Sequence, residues 1–154
     1  MKRTLLLLGS LVLTGSVLRA DDLAIIVAKG VPLEDVALSD LVKIFRCEKT
    51  AASDGTRLTI VAREKGSAER AAALAGIYKF SDAAFEKYFM QQVFTGAVAA
   101  APKIVASAAG MKKLAASAPG TVAYVRASDL DDSVKVVKID GLAPGAPGYA
   151  LKIN

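Results

Sequence analysis

The chain has 154 residues, of which 53% are hydrophobic, and a formal net charge of +5. This length and composition exclude an intrinsically disordered protein and favour one domain with a sizeable core. The sequence contains no histidine, which excludes histidine-based triads, histidine general bases and most transition-metal sites. We therefore expect a protein that is not an enzyme and that holds no metal or cofactor.

Residues 1–20 have the pattern of a secretory signal peptide. Two basic residues precede an apolar run from Leu5 to Leu13, and Ala20 is suited to the last position before a cleavage site. The run is too short to span a bilayer, and no cysteine near its end indicates a lipoprotein anchor. We therefore expect residues 21–154 to be periplasmic or secreted.

The predicted signal peptide also carries most of the net charge. It contains Lys2, Arg3 and Arg19 and no acidic residue, so the remaining chain has a net charge of +2 instead of +5. A charge this small gives no reason to expect a nucleic-acid partner.

The first half of the exported region reads as two strands around a helix. A short apolar run, Leu23 to Ala28, predicts a central strand that is buried on both faces. After a bend, Ser39 is expected to cap a short helix with one apolar face. Asp54-Gly55 predicts a tight turn, which leads into a second strand over Arg57 to Ala62.

Two helices are predicted after this second strand. The first is rich in alanine, starts near Ser67 and is expected to weaken or end at Gly76. The second is expected to be capped by Ser81, with Phe80 packing onto Phe85 as a hydrophobic staple. Apolar residues then recur at helical spacing, which is typical of a stripe that faces the core. The stripe comprises Phe85, Tyr88, Phe89, Gln92 and Val93.

The last third of the chain predicts three more strands and one more helix. Lys103 to Ala106 is a short strand, and Ser107 is expected to cap the helix that follows. Thr121 to Val125 and Val134 to Ile139 are the remaining strands. The tail over residues 141–154 is rich in glycine and proline and is expected to be an extended surface segment. Because strands alternate with helices, the sequence predicts a single α/β domain over residues 21–154.

The strongest candidate for a binding site is a strand, a polar turn and a helix start in succession. Arg63 follows the strand, and Gly66, Ser67 and Ala68 form the turn and the first helical residue. This geometry directs free backbone N–H groups and the positive end of a helix at one place, and Arg63 can add a forked donor. The pattern suits an anion, but many such units use glycine and serine only for the turn and the cap. Ser107 is a secondary candidate donor, for which capping is the favoured role.

Several short motifs occur in an order that is shared with a known family. They are Leu41 to Phe45, Asp54-Gly55, Arg63 with Gly66-Ser67, Phe94-Thr95-Gly96, Pro102 to Val105 and Pro119 to Val125. In this order they resemble the substrate-binding proteins of phosphate ABC transporters, in the class II periplasmic binding protein superfamily. The resemblance implies a periplasmic-binding-protein-like lobe with a mixed central sheet flanked by helices. It also implies phosphate or a related oxyanion as ligand, contacts from Arg63, Gly66 and Ser67, and a membrane permease as partner.

The chain departs from the family pattern at Glu69, where the family often has a small or hydroxylated residue. A carboxylate close to a bound anion would repel it by on the order of 1 kcal/mol or more. We therefore expect Glu69 to point away from the site, or to pair with Arg70 or Lys65.

The chain is also short for this family, whose binding proteins close two lobes on the solute. It has sequence for little more than one lobe. We expect weak affinity unless a second copy, in a homodimer, or another protein completes the cleft.

Two functions follow from the sequence. The first is an exported, non-enzymatic solute-binding-like protein that recognises phosphate or a related oxyanion in ABC-type transport. The alternative is an interaction or sensory module for an envelope protein, which has lost solute binding. Glu69, the short chain and the tail rich in glycine and proline favour this alternative.

Overall fold

The structure is a computed structural model that describes residues 21–154. The predicted signal peptide, residues 1–20, lies outside the described residues. Within residues 21–154, no helix has both the length and the apolar character needed to cross a membrane.

A six-stranded mixed sheet forms the centre of the described region. Its strands are β1 (Leu23–Val27), β2 (Asp35–Val36), β3 (Thr59–Arg63), β4 (Lys103–Val105), β5 (Thr121–Arg126) and β6 (Lys135–Ile139). Their spatial order is β2-β6-β1-β5-β3-β4. Strand β1 runs antiparallel to β5 and β6, whereas β3 runs parallel to β4 and β5. The predicted α/β class with a mixed sheet is confirmed, and the sequence missed only the two-residue β2 among these strands.

Four α-helices occur in the described residues, between these strands in chain order. They are α1 (Leu38–Phe45), α2 (Ala68–Ala73), α3 (Asp82–Phe94) and α4 (Ala108–Ser117). A π-helical turn, Leu74–Tyr78, continues α2, and a 3-10 turn, Ala127–Asp129, follows β5.

Strand β1 is the centre of the core, as its apolar run predicted. All five of its residues are fully buried, because β5 and β6 pair with its two edges and the helices α2 and α4 pack against it. Ile25, for example, lies opposite Tyr124 on one side and Val137 on the other. Burial of one such side chain contributes about 1.5–3 kcal/mol.

The predicted cap of α1 is wrong. The helix begins at Leu38, with Ala37 at the N-cap, so Ser39 lies inside its first turn. The amide of Leu38 donates instead to Oδ1 of Asp140 at 3.0 Å. Since Asp140 is 102 positions away, no local pattern could indicate this cap.

The prediction that the alanine-rich helix weakens or ends at Gly76 is confirmed in part, because the α-helix ends at Ala73 and a π-helical turn over Leu74–Tyr78 follows it. The helical path passes through Gly76 and stops at Lys79, which has a left-handed φ of 57°. A Cβ at Gly76 would lie 3.1 Å from Cδ2 of Leu151. The glycine therefore makes room for the tail.

Helix α3 has the predicted cap but not the predicted staple. Ser81 Oγ accepts from the Ala84 amide at 3.1 Å, which confirms the cap. The Phe80 ring packs against Tyr88, with ring centroids 5.1 Å apart. Phe85, the predicted partner of Phe80, packs against Tyr78 at 4.9 Å.

The aromatic stripe on α3 faces the core over only part of its length. Phe85 and Phe89 are buried, as predicted. Val93 is 40% exposed, so the prediction fails at the last turn, where the neighbouring Met90 and Phe94 are 69% and 90% exposed.

The end of the tail is part of the core, so the prediction of a surface segment holds only for residues 141–148, which are exposed or half-buried. Tyr149, Leu151 and Ile153 are buried. The amide of Leu23 donates to the carbonyl of Leu151 at 3.0 Å, and Tyr149 Oη donates to the carbonyl of Leu23 at 2.8 Å. The glycines and prolines before this segment obscured a strand-like alternation of three apolar residues.

Candidate functional site

Arg63, the last residue of β3, has a fixed backbone and a buried side chain. Its amide donates to Tyr124 Oη at 2.9 Å, and its carbonyl accepts from Arg70 Nη1 at 3.1 Å. The residue is only 9% exposed. Its Nη1 donates a long bond of 3.4 Å to the carbonyl of Val105, and its Nε has no partner among the described residues. The guanidinium therefore retains an unused donor in a buried position.

The turn after Arg63 has the geometry that the sequence predicted. Gly66 has a left-handed φ of 88°, which glycine adopts without strain. Ser67 caps α2, since its Oγ accepts from the amide of Arg70 at 3.2 Å. The same hydroxyl donates to the carbonyl of Glu64 at 2.9 Å. It would have to leave that carbonyl before it could donate to a ligand.

Two amides at the start of α2 remain available. The N–H groups of Ala68 and Glu69 have no acceptor within residues 21–154. This is expected of the first residues of a helix, whose N–H groups have no intrahelical partner. They are the backbone donors that an anion at this turn would meet.

Glu69 does not point away from the turn, and its predicted partners are wrong. Glu69 is 7% exposed, and its Oε1 accepts from Nε of Arg126 at 2.9 Å. Its Oε2 lies 4.0 Å from Nη2 of Arg63. The two expected partners pair with other carboxylates on α3. Arg70 pairs with Asp82 at 2.6 Å, and Lys65 pairs with Glu86 at 3.2 Å.

The position of Arg126 follows from the sheet. Strands β3 and β5 are adjacent and parallel, so their carboxyl ends meet at the same edge. Arg63 ends β3, and Arg126 ends β5. The hydrogen bond that Arg126 donates to Glu69 is the main cause that raises the pKa of its guanidinium. Arg126 also lies 3.6 Å from the carboxylate of Asp21.

Arg70 has a structural position beside this group. It is 4% exposed, and its Nε donates to Asp82 Oδ1 at 2.6 Å. Its guanidinium also lies 4.4 Å from the ring centroid of Phe85. Arg70 therefore joins α2 to α3 and to the end of β3.

The charges of the whole group are balanced. Its members are Arg63, Arg70 and Arg126 with Glu69, Asp82 and Asp21. An anion that enters would find no arginine without a carboxylate nearby.

Ser107, the secondary candidate, caps α4. Its Oγ accepts from the amide of Gly110 at 3.0 Å, which is the role that the sequence favoured. Within residues 21–154, no group of three or more potential metal ligands occurs.

The fold is similar to that of three solved transport proteins. One, from Clostridium perfringens, is described as a phosphate ABC transporter substrate-binding protein with bound phosphate. It is 24% identical with a TM-score of 0.65, over 79% of this chain and 46% of that chain. An ABC-type phosphate transport receptor from Vibrio cholerae is 22% identical with a TM-score of 0.65, and the match covers 80% of this chain and 48% of that chain. PstS from Borrelia burgdorferi is 14% identical with a TM-score of 0.67, and the match covers 87% of this chain and 55% of that chain. The chain has the fold of phosphate-transport binding proteins.

This likeness confirms, at the level of the fold, the resemblance that the motif order indicated. The chain spans about half the length of these phosphate-transport binding proteins. No protein-family model matches the sequence, and a search of curated proteins gave no match.

Sequence reasoning missed Arg126 as a neighbour of the candidate site. One signal was present, because an arginine directly follows the predicted strand Thr121 to Val125, as Arg63 follows the earlier one. Using it required the knowledge that these two strands are adjacent and parallel.

Proposed function

We propose that this protein is a solute-binding-like protein whose turn between β3 and α2 recognises phosphate or a related oxyanion. The observation that carries the proposal is the buried guanidinium of Arg63, whose Nε has no partner among the described residues. The free amides of Ala68 and Glu69 begin the helix that follows the same turn. The likeness to a transport protein with bound phosphate supports this reading.

The chemistry is recognition by donors and dipoles. A buried donor without a partner costs about 1–3 kcal/mol, so an anion that accepts from Arg63 Nε would recover part of this cost. The helix dipole adds about 0.3–1 kcal/mol when exposed and up to ~2 when partly buried. Ser67 would join as a hydroxyl donor, and Gly66 and Ala68 through their amides. We expect a dissociation constant of about 1 mM, equivalent to about −4 kcal/mol, because the described residues cover one side of the anion.

The test is a titration of the ¹⁵N-labelled protein with phosphate and then sulfate at low ionic strength. We expect saturable shifts of the amides of Gly66 and Ala68. Arg63→Lys keeps the charge but removes the Nε donor and the fork, so it should abolish these shifts. Arg57→Lys is the matched control, since Arg57 is exposed and makes no ion pair among the described residues. Shifts that do not saturate, or that are equal in both variants, would remove this site from consideration.

We also propose that the protein is exported and that residues 1–20 are removed. The signal-peptide pattern of this segment supports the proposal. The next residue, Asp21, is part of the folded domain, since its carbonyl accepts from the amide of Ile153 at 2.8 Å, and this also supports the proposal. N-terminal sequencing of protein from the periplasmic fraction should give Asp21 first. Recovery of the uncleaved chain in the cytoplasm would contradict export.

A second candidate function is the interaction module for an envelope protein, such as a membrane permease. Large apolar side chains that are exposed on α3, together with one on the edge strand β4, favour it. Phe94, Met90 and Ile104 are 90%, 69% and 51% exposed, and exposed apolar patches often mark interaction sites. If this function is correct, an envelope protein should co-purify with the wild type and with Arg63→Lys but not with Phe94→Ser. Equal capture by the wild type and Phe94→Ser would argue against it.

A further inference from the structure

The carboxylate of Glu69 lies where the arginines of the proposed anion site converge. It accepts from Arg126 Nε at 2.9 Å, and it lies 4.0 Å from Arg63 Nη2. Glu69 is the second residue of α2 and is 7% exposed. A carboxylate between two arginines at a helix start has the surroundings that a bound oxyanion would require.

We propose that Glu69 is a built-in anion that determines which external anions this site accepts. Its carboxylate holds the arginine pair, so that a free oxyanion must displace it or bind beside it. The wild-type site is therefore weak for phosphate, and removal of the carboxylate creates a stronger site for phosphate, sulfate or a small carboxylate. This inference rests on the proposed oxyanion function of the turn.

The charge balance supports this role for Glu69. The arginines near the turn are already matched by carboxylates, so an added anion gains no unpaired cation and meets the charge of Glu69. Two like charges a few ångströms apart repel strongly at intermediate dielectric. Replacement of Glu69 by a neutral residue leaves Arg63 and Arg126 with one carboxylate, that of Asp21, at 3.6 Å from Arg126.

The unused donor on Arg63 indicates that Glu69 fills the site incompletely. The two nearest atoms of the Arg63–Glu69 pair are 4.0 Å apart, and Arg63 Nε has no partner among the described residues. A tetrahedral oxyanion presents more acceptor oxygens than one carboxylate. It would reach the guanidinium of Arg63 and the amide of Ala68 together once the side chain of Glu69 is shortened.

The test compares phosphate binding by the wild type, Glu69→Ala and Glu69→Gln in the full chain. Glu69→Ala makes space, and Glu69→Gln keeps an acceptor for Arg126 and carries the test if the alanine variant does not fold. Glu34→Gln is the control, because it changes the net charge equally. Glu34 pairs with Lys135, and its side chain is 77% exposed near β2, at the opposite edge of the sheet from β4.

Two readouts are measured, the amide shifts of Gly66 and Ala68 and the rise of the melting temperature with added phosphate, sulfate or acetate. We expect both Glu69 variants to bind phosphate at least about tenfold more tightly than the wild type, because the nearby negative charge is gone. Added anion should raise their melting temperatures more than that of Glu34→Gln. Arg63→Lys in the Glu69→Ala background should remove the gain.

Each remaining outcome overturns the inference in a recognisable way. If the wild type binds phosphate at these amides and the Glu69 variants bind equally or less tightly, the inference fails and the proposed function stands. If neither the wild type nor a folded Glu69 variant binds any of the anions, the inference and the proposed function both fail. A gain that persists after Arg63→Lys places the new anion elsewhere and also overturns the inference.

Discussion

The contact between Leu151 and Gly76 gives a sharp test of the tail as part of the core. Leu151 is 2% exposed, and its Cδ2 would lie 3.1 Å from a Cβ on Gly76. Leu151→Ala removes buried methyl groups and leaves a cavity beside the π-helical turn. Substitutions of this kind in a core cost about 2–5 kcal/mol. A segment lying on the surface would lose less than about 0.5 kcal/mol.

A second substitution, Gly76→Ala, turns this into a double-mutant cycle. In the wild type, the added methyl group gains up to about 1 kcal/mol of helix propensity, which crowding against Leu151 offsets. In Leu151→Ala the crowding is gone, and the methyl group fills part of the cavity. Gly76→Ala should therefore be more favourable in the Leu151→Ala background than in the wild type, by about 1 kcal/mol or more.

The assay is urea unfolding of the four proteins, followed by far-UV circular dichroism. The slope of the free energy of unfolding against urea should stay constant, so that midpoints report stability. Phe94→Ser is a useful reference, since Phe94 is 90% exposed. Additive effects of the two substitutions would refute the contact, and a small effect of Leu151→Ala alone would refute the burial of the tail.

Three further predictions concern single groups. Tyr149→Phe should lower the free energy of unfolding by about 1 kcal/mol in urea unfolding, because it removes the bond from Tyr149 Oη to the carbonyl of Leu23. Asp140→Ala should cost about 1 kcal/mol in the same assay, through the lost cap on the amide of Leu38, whereas Ser39→Ala should cost less. Burial raises the pKa of Tyr124 from 10.0 to about 12 in the folded state. Its contribution to stability is therefore complete below the unfolded pKa and is lost as pH rises from about 10 to about 12. Ultraviolet titration should show tyrosine ionising at higher pH in the folded protein than in urea, and identical curves would contradict the burial.

The elements that the sequence predicted are those whose signals are local. The apolar run of β1, the cap at Ser81 and the turn at Asp54-Gly55 all depend on residues within a few positions of one another. The burial at the end of the tail was not predicted, for the opposite reason. It depends on contacts with β1 and Gly76, which are far away in sequence. Glycine and proline before Tyr149 described the path of the chain correctly but gave no information about its burial.

The candidate site shows the same limit in a more instructive form. The sequence predicted that Arg63 follows a strand, that a turn comes next and that Ser67 caps α2. It did not predict that Glu69 pairs with Arg126, which is 57 positions away. A glutamate in the first turn of a helix suits the helix dipole, so local reasoning had no cause to connect it with β5. The connection comes from topology, since adjacent parallel strands bring Arg63 and Arg126 to the same edge. Two arginines at one edge attract an anion, and whether Glu69 or a solute supplies it is what the Glu69 variants decide.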